Sequence, residues 1–152
     1  MIASLPVIFL LLSTTRARSE HCEDVKRLDA AWGPYSHLSH RFSNVMTYGG
    51  LVYVSGQVGF ASADGAVGDI TQQTNATLRA VDDALASAGT SSDRVLEVTI
   101  WLANIERDYA AMNTVYDLWV DGHAPTRACI EAKCAGSQMR SPLPHYPSRS
   151  LP

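Results

Sequence analysis

Lysine and arginine form no extended run anywhere in these 152 residues, and the formal net charge is −3. The positive surface with which proteins neutralise nucleic-acid phosphates is absent as a bulk property, so no nucleic-acid partner is expected. Cysteine is scarce and odd in number. Cys22, Cys129 and Cys134 match neither a zinc spacing nor a disulfide framework, which predicts free thiols in a reducing compartment. His37 and His40 stand three apart with no third ligand at useful spacing, so no metal site is expected. The apolar run over residues 1–12, MIASLPVIFLLL, is too short to cross a bilayer.

What is present is enough for one domain. A content of 46% hydrophobic and 18% charged residues supports a real core, and the length leaves no room for a second. After the apolar start comes STTRARSE, with Arg16 and Arg18 ahead of the first acid, Glu20. That profile is partly that of a mitochondrial presequence and partly that of a secretory signal, and it equally suits a disordered start. Residues 1–31 are therefore set outside the domain, and the location is left as cytoplasmic, mitochondrial or secreted.

From residue 42 two β-rich runs, FSNVMTY and LVYVSGQVGF, flank Gly49 and Gly50, a spacing that predicts a tight hairpin. Asp69 with Gln72 forms a capping-box pair at the start of a helix. Its apolar stripe is Ile70, Thr74, Leu78, Val81, Leu85 and Ala88, and Gly89 closes it. VLEVTIWLA alternates as a strand over Val95–Leu102, and a second helix is expected from near Asp108 to Gly122, carrying Tyr109, Met112, Val115, Tyr116 and Trp119.

The last legible element is APTRACIEA, residues 124–132. At strand period it places Arg127, Cys129 and Glu131 on one face and Ala128, Ile130 and Ala132 on the other. The order strand, strand, helix, strand, helix, strand predicts an α+β or α/β sandwich with both helices on one sheet face. Trp101 and the polar wall around Arg127 are expected on the other face, covered by self-association.

GPY at Gly33–Tyr35, VYVSGQVG at Val52–Gly59, the DITQQT helix start, VTIWL, AAMNTVY and APTRACIEA together resemble the RidA (YjgF) family of enamine/imine deaminases over about residues 32–133. The resemblance implies an α+β, chorismate-mutase-like fold, a homotrimer with clefts between subunits, and no cofactor. It implies a 2-iminobutanoate/2-iminopropanoate deaminase-type hydrolase that converts enamines and imines such as 2-aminoacrylate to 2-keto acids and ammonia. A trimeric binder of small carboxylates without catalysis, or a regulatory or chaperone-like member, is the alternative.

By the same resemblance, Arg127 grips the substrate carboxylate, for which a planar guanidinium offers two parallel charge-assisted hydrogen bonds. Cys129 stands beside it as pocket wall, and Tyr35, Ser55, Gln57 and Asn113 border the substrate. Family members continue into further strands whose final glutamate orients the hydrolytic water. Here residues 134–152 carry four prolines between Pro142 and Pro152, which no central strand tolerates. The final strand is therefore missing, an inner sheet edge is left unpaired, and Glu131 is the nearby acid to replace the lost one.

Overall fold

The computed structural model describes residues 7–13, 25–28, 41–59 and 68–132. Its elements are β1 (Val7–Ser13), β2 (Lys26–Leu28), β3 (Val45–Tyr48), β4 (Leu51–Val58), α1 (Ile70–Ser87), β5 (Val95–Leu102), α2 (Ile105–Val120) and β6 (Thr126–Glu131). The strands form one sheet in the order β2-β3-β4-β1-β5-β6, and the two helices pack on it, so the fold class is the predicted α+β.

Local chemistry accounts for most of these boundaries. Gly49 and Gly50 take φ of 59° and 75°, the doubly left-handed backbone of a two-residue hairpin turn, and Tyr48 pairs with Leu51 across it. At the start of α1 the Asp69 carboxylate accepts from the Gln72 N–H at 2.8 Å, and the Gln72 side chain accepts from the Asp69 N–H at 3.0 Å. Past its end the N–H of Gly89 donates to Ala86 and that of Thr90 to Leu85, which satisfies two of the last carbonyls.

The second helix begins at Ile105, three residues before the expected position, because Asn104 caps it by accepting from the Arg107 N–H at 2.9 Å. Asp121 at φ 41° and Gly122 at φ 80° end it.

The core lies between sheet and helices. Val45, Val52 and Val54 face Leu78, Val81, Ala84 and Leu85, while Val95, Val98, Ile100 and Leu102 complete the layer with Met112, Val115 and Tyr116. Each fully buried aliphatic side chain contributes roughly 1.5–3 kcal/mol relative to leaving it in water. Gly59 brings the end of β4 against α1: a Cβ there would stand 2.3 Å from the Thr77 backbone nitrogen, and the Gly59 N–H donates to Thr77 Oγ1 at 2.8 Å.

Two features depart from the sequence reading. Residues 1–31 were expected to stand outside the domain with an inner edge unpaired, but Val7–Ser13 occupies that interior position. It runs antiparallel to both neighbours, with Leu10 opposite Val54 on one side and Val98 on the other. The second concerns the open sheet face. Trp101 does lie there, opposite Ile130, with Thr99 opposite Ala128. The polar wall does not. Parallel pairing sets Arg127 beside Val98 and Cys129 beside Ile100, and both partners are buried on the helix side. Residues directly opposite share a face, so the wall turns under α2 and, among the described residues, the apolar side of β6 is the uncovered one. Tyr35, His37, His40, Cys22, Cys134 and the tail 134–152 lie outside the described residues.

Candidate functional site

β6 is a short strand at the edge of the sheet, and its inward residues meet the tyrosines of α2. The guanidinium carbon of Arg127 lies 4.6 Å from the ring centre of Tyr116 and 5.7 Å from that of Tyr109. These are cation–π distances, and the two rings sit seven residues apart, on one helical stripe. Among the described residues Arg127 Nη2 is buried without a hydrogen-bond partner, and so are the Tyr116 hydroxyl and Asn113 Oδ1. Leaving such groups unpaired in a dry site costs about 1–3 kcal/mol each, so this stripe is short of polar partners.

An open cleft of about 690 Å³ adjoins it, lined by Ile105, Glu106, Tyr109, Arg127 and Cys129. Burial pushes the Cys129 thiol up from its ordinary value of 9.0, against the opposing hydrogen bond and charge of Arg127. The group is therefore a thiol at neutral pH and not a ready thiolate nucleophile. Burial likewise raises Tyr116 from 10.0, while Arg127 pulls it down and Asp117 adds to the rise. The cleft thus offers one fixed cation, one neutral thiol, one phenol and one carboxylate. Such a set can bind a small anion and move protons.

The model of the family described as Endoribonuclease L-PSP matches residues 34–140 of this chain. The chain belongs to this family, the YjgF/RidA family. Among its relatives is a RutC family protein of Haemophilus ducreyi, 40% identical over 99 residues, which are 64% of this chain and 80% of that protein. The RutC family protein YoaB of Escherichia coli is 36% identical over 93 residues, 60% of this chain and 76% of YoaB. A YjgF-family protein of Neisseria meningitidis has the same fold at a TM-score of 0.62 and 32% identity, covering 76% of this chain and 86% of its own.

Within this YjgF/RidA chain the residues expected at the site divide into three groups. Arg127 and Cys129 line one cleft, and Asn113 lies on the same helical stripe as the two tyrosines. Glu131 lies on the Arg127 face, but its Oε2 accepts from the Ile105 N–H at 2.9 Å, capping α2. It forms no ion pair with Arg127 among the described residues.

Ser55 and Gln57 cluster elsewhere. Gln57 Nε2 donates to Asn44 Oδ1 at 2.8 Å, and the Ser55 hydroxyl reaches the same oxygen at 3.3 Å. Across the sheet, Gln57, Ile8, Ile100 and Cys129 are successive partners. That places Gln57 three strand spacings from Cys129, roughly 14 Å. One chain does not bring the two groups together. Tyr35 lies outside the described residues.

The sequence pattern places Tyr109 and Tyr116 on the core stripe of α2 and gives Glu106 no role. A signal for the tyrosines existed in their seven-residue spacing opposite a strand that carries arginine. For Glu106 there was none, since an acid in a first helical turn reads as a partner of the helix dipole. Among the described residues no helix is long and apolar enough to cross a membrane.

Proposed function

We propose that this chain hydrolyses small enamines and imines of the 2-aminoacrylate type to 2-keto acids and ammonia. The observation that carries the reading is the Arg127 guanidinium, held against Tyr116 with Nη2 buried and unpartnered, beside a cleft large enough for a small acid and water. A substrate with almost no apolar surface must be held by its carboxylate, and a forked guanidinium suits that task. Imine hydrolysis needs a positioned water and proton transfer but no covalent intermediate, which fits a protonated Cys129 acting as wall. No cofactor enters the scheme.

The functional unit in this proposal is a homotrimer. Ala128 and Ile130 lie on the sheet face that the described helices leave uncovered, and Ile130 is 45% exposed in the single chain. Packing copies through that face would hide it.

The test generates 2-aminoacrylate with a pyridoxal-phosphate dehydratase and follows its decay. Purified protein is expected to accelerate formation of the keto acid, and decay at the buffer rate would overturn the reading. One observation favours the alternative of a non-catalytic trimeric carboxylate binder, or a regulatory member: the Glu131 carboxylate is engaged at the α2 N-terminus. Calorimetric binding of a 2-keto acid with no turnover of imine would select it.

A further inference from the structure

The cleft beside Arg127 contains a carboxylate that neither composition nor motif pointed to. Glu106 stands in the first turn of α2 and lines the same cavity as Arg127, Tyr109 and Cys129. Its neighbours are occupied. Arg107 donates to both oxygens of Asp108, each at 2.6 Å, and Glu131 is bonded to the Ile105 N–H. Among the described residues Glu106 has no ion-pair partner, so of the three acids Glu106, Asp108 and Glu131, at the start of α2 and the end of β6, it is the one with both oxygens uncommitted.

We propose that Glu106 is the proton-transfer group of this cleft, and that with Arg127 it selects the cationic iminium form of a small 2-imino acid. The inference rests on the deaminase reading above. A cleft with a cation on β6 and an anion on α2 is dipolar. It suits a ligand whose carboxylate and positive nitrogen are borne by adjacent carbons, and it suits a plain 2-keto acid less well. The same polarity favours release of product, because the keto acid keeps the group that Arg127 holds and loses the one that Glu106 attracts.

The chemistry balances with Glu106 as the sole proton carrier. Water forms a bond to the iminium carbon, the C=N π pair moves to nitrogen, and one water proton passes to the Glu106 carboxylate. Glu106 returns that proton to the amine nitrogen of the resulting carbinolamine. It then takes the hydroxyl proton as the C–O bond becomes C=O and the C–N pair leaves with nitrogen. Ammonia collects this last proton and departs as ammonium, which regenerates the carboxylate. One water is consumed, and no oxidant or reductant takes part.

The test compares Glu106→Gln and Glu106→Asp with the unchanged chain, in the dehydratase-coupled assay and in calorimetric titration with pyruvate. Glu106→Gln is expected to lower kcat by at least about 10²-fold, the usual lower range for loss of general acid–base help. Pyruvate affinity should hold or rise, because a negative charge has been removed from its cleft. Glu106→Asp should retain activity between the two.

A Glu106→Gln enzyme with kcat within twofold of the unchanged chain would overturn the role and leave the deaminase reading intact. So would loss of turnover and pyruvate binding together, which would mark Glu106 as structural. No turnover by the unchanged chain would remove the reading and the role at once.

Discussion

The guanidinium carbon of Arg127 lies 4.6 Å from the centre of the Tyr116 ring, and among the described residues both the Nη2 of the one and the hydroxyl of the other are buried without partners. A cation–π contact holds guanidinium by its face and leaves the N–H edge free. Tyr116 thus orients the arginine without using the donors that a carboxylate would need.

Substitutions at Arg127 should therefore separate charge from shape. Two charge-assisted hydrogen bonds are worth roughly 1.5–3 kcal/mol each, so their loss corresponds to at least about 10²-fold in affinity. Arg127→Ala is expected to abolish detectable binding of a 2-keto acid in calorimetry, and Arg127→Lys to restore little of it despite its charge. The proposed homotrimer should survive both changes, because Arg127 turns under α2 and away from the Trp101 face. Sedimentation showing that Arg127→Ala dissociates the assembly would instead make its role structural.

Cys129 offers a prediction with a defined pH direction. Burial holds its thiol above the ordinary 9.0, so the folded state keeps a proton that the unfolded state loses first. Above about pH 9 the unfolded chain binds fewer protons than the native one, and stability falls as pH rises through that window. Below pH 9 the contribution is fully present and flat. Denaturant titrations should show this alkaline slope reduced in Cys129→Ala, and alkylation by iodoacetamide at pH 7 should be slow in the native protein. Turnover should persist in the same variant, since the thiol serves as wall.

The elements that were legible before the structure are those whose rules act over a few residues. The alternation of Arg127, Cys129 and Glu131 follows from the period of a strand, the Asp69–Gln72 pair from a reciprocal cap, and the hairpin from two adjacent glycines. What escaped depends on distant partners. The Glu131 carboxylate meets an N–H 26 residues earlier in the chain, so nothing near it announces the cap. The face of the polar wall is fixed by register against β5, which is a property of two strands and not of one. Glu106 becomes a cleft residue only because α2 starts at Ile105, three residues before the helix that the apolar spacing suggested.

Gly59 should tolerate no side chain. Its absent Cβ would stand 2.3 Å from Thr77 N and 2.4 Å from Gln73 O, both backbone atoms of α1, so an alanine must displace the helix. Gly59→Ala is expected to destabilise by roughly 3 kcal/mol, the upper end for overpacking. Gly89→Ala is the control: nothing lies within 4 Å of its Cβ, and only the left-handed backbone at φ 74° is penalised. That strain is of order 1–2 kcal/mol. A lower denaturation midpoint for Gly59→Ala than for Gly89→Ala supports the close approach, and the reverse order would refute it.

The run VIFLLLS carries the largest structural consequence for its length. The run is uninterruptedly apolar, as is the hydrophobic segment of a signal peptide, so its sequence alone does not announce a strand. In the fold it is β1, paired antiparallel to β4 from Val58 to Leu51 and to β5 from Trp101 to Val95. Without it, two facing rows of backbone donors and acceptors lose their partners in the middle of the sheet, where water cannot replace them without cost. Deleting residues 1–14 is therefore expected to yield an aggregating chain with no cooperative thermal transition. Leu10→Pro, which removes a ladder donor at the residue paired with Val54 and Val98, should lower the midpoint strongly in the full-length chain. Amide exchange along β4 and β5 should be slow in the intact protein and fast in Leu10→Pro. A truncated chain with an unchanged midpoint would show that these two strands need no partner from the N-terminus, and any processing event could then remove residues 1–13 without harm to the sheet.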